Sequence, residues 1–276
     1  MRRASDKRLA SRLNHFTIGW SVQLLSLPLI AVGMVVTGDL HDPFSLGADF
    51  WLPMLAIWIG FYPLSSYLIG IATRDGELSK IVPLQSFGPV FALLLGWLML
   101  HERPSLTAGI AVAVVVIGAY VLNLKGRYLH NPLKMFTADR PNLFMLLNMV
   151  LIAGVAVLDK AAMAVSGPLY FSFVSTVGAV VVLYACARLT GVREEQAARR
   201  HLRPLAASGT LFAGAYSTYL LAIHTGPIAY VTTVRSTSIL FGAVIGFVYF
   251  KESATRAKFA GIGLILAGVM ALGLLG

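Results

Sequence analysis

The feature that most constrains this chain is its series of apolar runs, each about 20 residues long, separated by short polar turns. A helix of that length spans about 30 Å, the thickness of a hydrocarbon core. In lipid a lone segment satisfies its backbone only as a helix. Nine runs are read, at 14–38, 50–73, 81–100, 105–124, 142–163, 167–187, 204–224, 227–250 and 257–275. The expectation is an all-α membrane protein with nine transmembrane helices. Composition agrees, with 57% hydrophobic residues, 12% charged and a mean hydropathy of +0.77, where a soluble globule carries about a quarter charged. The longest connections, 125–141 and 188–203, are loops. Residues 1–276 are therefore read as one polytopic membrane domain. The first run is too long for a signal peptide and is read as a retained helix.

A net charge of +10 raises the question of nucleic acid, but the Lys and Arg lie in turns between apolar runs rather than along one helix face. There they orient the chain and meet anionic headgroups, so no nucleic-acid partner is expected. With the N-terminus inside, 19 of the 22 Lys and Arg fall on inside segments, which puts the C-terminus outside. Cys186 has no partner for an internal disulfide.

A repeat with an offset of 150 runs through the chain. It pairs Ala72 with Ala222, Gly76 with Gly226, Ser86 with Ser236, Phe91 with Phe241, Gly96 with Gly246, Glu102 with Glu252 and Gly118 with Gly268. The same offset lays the runs at 167–187 and 204–224 on those at 14–38 and 50–73. The halves are then 14–124, with four helices, and 142–275, with five. Corresponding helices are separated by an odd number of crossings, so the halves form two inverted repeats. Secondary transporters use that arrangement to hold a site near the bilayer midplane.

The segment Gly242-Ala243-Val244-Ile245-Gly246, then Phe250-Lys251-Glu252, then Gly261 through Val269, resembles the closing signature of the EamA-like branch of the drug/metabolite transporter superfamily. Leu95-Gly96-Trp97 through His101-Glu102 to Gly118 resembles it in the first half, and Leu158 to Met163 followed by Ser166-Gly167-Pro168 resembles the opening helix of that family's repeat. The resemblance implies ten helices with both ends cytosolic. This chain departs from it by one helix, as expected of a truncated start or a nine-helix variant, and its basic loops argue for the opposite orientation.

Several residues inside the runs could carry a solute. Arg235 lies eight residues past Pro227, too deep for easy snorkelling. It is read either as a counter-charge for an anionic group or as the ion-pair partner of Asp159. Gln85 matches it in the first half, and Ser236 stands beside it. Asp159 either faces a cavity, where a carboxylate could carry a coupling proton, or serves such a pair; Lys160 is read as interfacial. Trp58, Tyr62, Ser65 and Ser66 form a polar-aromatic stripe at helical spacing, answered by Tyr216 and Tyr219 in the matching run. The stripe suits either a cavity wall or helix packing. Pro83 and Pro89 interrupt the run at 81–100 and are read as a gate or a static kink, against a more regular second-half counterpart. Glu102 and Glu252, just ahead of helix starts, are read as structural.

No phosphate loop, HExxH, CxxC or Asp-rich metal motif occurs, and the six histidines are scattered. No enzyme activity, cofactor or metal is expected. The reading is a secondary-active transporter, an exporter of small organic metabolites such as amino acids, in a bacterial inner membrane, working by alternating access with protons as the candidate coupling ion and membrane lipid as its surroundings. A lipid-headgroup or polyprenyl-phosphate flippase, or a non-transporting scaffold, is the alternative. Oligomeric state is not legible.

Overall fold

A computed structural model describes residues 13–42, 45–75, 84–123, 139–238, 241 and 256–275. Every regular element among them is helical: α1 (His15–Thr37), α2 (Ala48–Leu55), a π-helical turn (Ala56–Phe61), α3 (Tyr62–Asp75), a 3-10 turn (Gln85–Phe87), α4 (Gly88–Leu100), α5 (Leu106–Asn123), α6 (Arg140–Ser166), α7 (Pro168–Leu189), α8 (Glu195–Arg200), α9 (Leu202–Thr225), α10 (Ile228–Ser236) and α11 (Arg256–Leu275). Four spans are long and apolar enough to cross a membrane: Phe16–Thr37, Ala48–Ile69, Arg140–Ser166 and Pro168–Leu189. Gln85–Leu100, Leu106–Val121 and Phe259–Leu272 are shorter apolar helices. The α9 helix is as long as the spans, but Ser208, Thr210, Tyr216, Ser217, Thr218 and Tyr219 make it more polar. Pro83, Lys251 and Glu252 lie outside the described residues, as does most of the run at 227–250 beyond Ser238.

The chain divides into two compact units that do not follow its order. Unit 1 comprises residues 1–62 and 158–225, and unit 2 comprises 63–157 and 226–276.

In unit 1, α1 opens on Asn14, whose side chain accepts the Phe16 N–H at 3.0 Å and so satisfies one of the free donors of a helix start. It closes on Gly38 at φ 69°, and the Asp39 N–H reaches back to Met34 O at 3.1 Å, a left-handed glycine ending. The α1 helix packs against α7 and α9. A Cβ on Gly19 would lie 3.1 Å from Leu183 Cδ1, and one on Gly33 would lie 3.8 Å from Leu169 Cδ1. Shifting by the repeat offset turns the first pair into the second. The two helices are therefore antiparallel and meet reciprocally about Ser26 and Thr176, both buried.

Unit 2 repeats this geometry with α5 and α11, which pack against each other. A Cβ on Gly118 would lie 2.7 Å from Leu264 Cβ and 2.9 Å from Gly261 O, and one on Gly268 would lie 2.9 Å from Ala111 O. The offset maps Gly118 onto Gly268 and Ala111 onto Gly261, so this pair too is antiparallel and reciprocal. Its centre is Val115 against Ile265, both fully buried, flanked by Ala108, Ala111, Ala119 and Leu272. Such close backbone approach requires glycine and gains dispersion contacts where lipid leaves no hydrophobic drive.

Remote polar contacts tie connectors together within each unit. The Asp39 carboxylate accepts the N–H groups of Leu169 and Tyr170 at 2.7 and 3.2 Å, capping α7 just past Gly167. In unit 2 the Glu102 carboxylate accepts the Ile228 N–H at 3.1 and 3.3 Å, capping α10 just past Pro227. The Asn14 N–H donates to Glu194 Oε2 at 2.7 Å. Each contact joins connectors that the charge count assigns to one face of the membrane.

Candidate substrate site

Several polar side chains of unit 1 form one cluster. The π-helical turn carries Trp58 and delivers Tyr62 at its end. Such a turn inserts one residue into the helical register and re-aims the side chains after it, a distortion common at functional sites. The Trp58 indole crosses onto α7, donating from Nε1 to Ser175 O at 3.4 Å. It fits there because position 178 is glycine: a Cβ on Gly178 would fall inside the indole.

Ser175 is the hub on α7. Its Oγ lies 3.3 Å from the Tyr216 hydroxyl of α9, and the Tyr62 hydroxyl is close by. Phe212 stacks on Tyr216 at 5.3 Å, fixing the ring one helical turn back. Asp159, on α6, acts electrostatically on both tyrosines. Its side chain is only 4% exposed, and Oδ1 has no hydrogen-bond partner. A buried carboxylate oxygen without a donor is costly, so the cluster is built around an unmet need. Ser172 Oγ and the Tyr170 hydroxyl, buried on the same α7, are also without partners.

Four of the residues singled out from the sequence, Trp58, Tyr62, Asp159 and Tyr216, thus come together in unit 1. Ser175, Gly178 and Phe212 were missed. Their signal was present as Ser172, Ser175 and Gly178, a polar-small stripe at every third position of an otherwise apolar run.

The remaining candidates belong to unit 2. Gln85 sits in the 3-10 turn, with Nε2 4.0 Å from Met145 Sδ. Pro89 is buried in the first turn of α4, where a missing N–H removes no helical bond. The interruption there is the 3-10 turn ahead of it. Arg235 is exposed and lies in the last turn of α10, which ends at Ser236 with Thr237 as its cap; Ser236 Oγ is bonded to Thr232 O at 3.0 Å. A cation at that end meets the negative pole of the helix. The expected regular second-half helix is therefore interrupted too, at the register of the first-half turn. Also in unit 2, Ser65 donates to Asn148 Oδ1 at 2.6 Å, while Asn148 Nδ2 is buried without a partner.

Glu102, read as structural just ahead of a helix start, serves a helix start other than the one next to it. Ser105 fills the nearer place, accepting the Ala108 N–H at 3.1 Å, and Glu102 serves the distant α10.

Residues 5–124 and 140–274 each match the EamA-like transporter family. No curated protein matches the chain. A protein of known structure, described only as "Crystal structure of protein", superposes with a TM-score of 0.73 over 98% of this chain and 93% of its own, at 13% identity. At that identity the likeness concerns the fold.

Proposed function

The chain belongs to the EamA-like transporter family, a multi-pass membrane family, and on that premise we propose that it is a secondary-active exporter of small organic metabolites such as amino acids. Its nine helices form inverted repeats of four and five, and it works by alternating access in a bacterial inner membrane without ATP hydrolysis. The observation that carries this reading is the cluster of Trp58, Tyr62, Ser175 and Tyr216 beside the buried Asp159. A packed structural core has no use for a carboxylate oxygen buried without a donor, whereas a site that exchanges ligands does. The reciprocal antiparallel pairs α1 with α7 and α5 with α11 support the inverted arrangement. Asp159 is the candidate carrier of a coupling proton, and Pro89 with the 3-10 turn before it is the candidate hinge. Counterflow into liposomes preloaded with single solutes tests the reading, since exchange needs no energy source. Asp159→Asn abolishes pH-driven uptake; uptake undiminished in that variant removes Asp159 from the mechanism. The exposure of Arg235 favours a lipid-headgroup flippase as the second reading, which a fluorescent-lipid scrambling assay on the same liposomes separates.

A further inference from the structure

Resting on the transporter reading and narrowing it, we infer that the solute held in unit 1 carries an ammonium group and that Asp159 is its counter-charge. A carboxylate is an acceptor only. The Ser175 and Tyr216 hydroxyls pair with each other, and Oδ1 of Asp159 is left buried without a donor. An N–H donor bearing positive charge meets that need; an anion adds to the repulsion.

Two independent features of unit 1 agree. Aromatic rings run without a gap from the α1–α2 connector to the cluster: His41 to Tyr170 at 5.5 Å, Tyr170 to Phe50 at 6.0 Å, Phe50 to Trp51 at 5.0 Å and Trp51 to Trp58 at 6.5 Å. Ring faces attract cations, so these aromatic surroundings suit an organic ammonium better than a carboxylate. At the far end of this ladder of rings, the connector and the first turn of α2, residues 38–49, hold Asp39, Asp42 and Asp49 and not one Lys or Arg, in a chain of net charge +10. Even with Asp39 engaged as the cap of α7, a local excess of negative charge favours cations over anions there.

The test uses the full chain in nanodiscs of phosphatidylglycerol and three probes of one shape: phenethylammonium, the neutral phenethyl alcohol and phenylpropanoate. Equilibrium binding favours the ammonium over the alcohol by about 10- to 100-fold, the usual worth of a hydrogen bond to a charged group, and the carboxylate does not bind. Asp159→Asn erases that preference, and Asp159→Glu, which keeps the charge, retains it. Equal binding of the alcohol, no binding by any of the three, or an Asp159→Asn protein that still prefers the ammonium overturns the inference. Should Asp159→Asn fail to fold, the three-probe ratio on the unaltered chain decides alone. Replacing part of the lipid by phosphatidylethanolamine identifies the source of the ammonium: displacement of the probe assigns it to a lipid headgroup, no displacement to a free solute. Ammonium binding without flux in liposomes would sink the transporter reading and leave the site standing. Flux indifferent to charge would do the reverse.

Discussion

At the centre of unit 1, α1 meets its own counterpart α7 around Ser26 and Thr176; at the centre of unit 2, α5 meets its counterpart α11 around Val115 and Ile265. The geometry is the same, antiparallel and reciprocal, but the filling is opposite. Among the described residues, the α5–α11 seam of unit 2 closes glycine on backbone with apolar side chains between. The α1–α7 seam of unit 1 meets glycine with the tips of leucines and buries hydroxyls at its centre. Its glycines serve another purpose as well, since Gly178 accommodates an indole rather than a helix. One folding device, used twice, thus supplies a dry seam in one unit and a polar, adaptable one in the other, and the candidate site lies with the second.

The contrast breaks or sharpens most clearly at its glycines. Gly118→Leu forces a side chain into the α11 backbone and is expected to cost about 3 kcal/mol, the upper range for overpacking, read as loss of monodisperse protein on size exclusion. Gly19→Ala in unit 1 meets only the flexible end of Leu183 and is expected to stay within about 0.5 kcal/mol; equal damage from the two would erase the distinction. Next in size, Gly178→Ala leaves the helices folded but expels Trp58 from its seat, so solute binding falls about tenfold or more with little change in melting temperature. A parallel fall in melting temperature would make Gly178 a packing residue.

The matched carboxylate caps should behave alike in both units. Asp39→Ala and Glu102→Ala each remove acceptors from a helix start and are expected to cost about 1 kcal/mol, measured by thermal melting in detergent. The smallest effect concerns the exposed end of unit 1, where Arg188 bridges Glu195 at 3.0 Å. The Glu195 carboxyl is held below its ordinary value of 4.5, first by its own backbone N–H at the start of α8 and then by Arg188. Its contribution is present above pH 4.5 and is lost as pH falls through the lower folded-state value. Screening by water keeps it small, so Glu195→Gln should leave the melting temperature nearly unchanged at neutral pH.

Much of this was legible because lipid leaves the backbone few options. Apolar length announced the helices, and the offset of 150 singled out Gly118 and Gly268 before their reciprocal contact was seen. Trp58, Tyr62, Asp159 and Tyr216 stood out as polar groups in apolar runs. What escaped was set by tertiary geometry. Nothing around Ala56–Phe61 marks a π-helical turn. The break after Ser236 carries neither proline nor glycine, so Arg235 read as mid-helix. Ser175 and Gly178 looked like ordinary small residues until an indole from another helix needed one to accept its N–H and the other to lack a side chain. Glu102 had a plausible partner nearby in sequence, and only the fold gave it a distant one.

The carboxylate caps bear on biosynthesis. Asp39 and Glu102 leave the ribosome 130 and 126 residues ahead of the amides they will hold. Until those amides arrive, the nascent first half keeps two anions at the membrane surface waiting for helices not yet made. Neither unit can be finished from the first half alone, and a chain arrested midway would be inserted but unassembled.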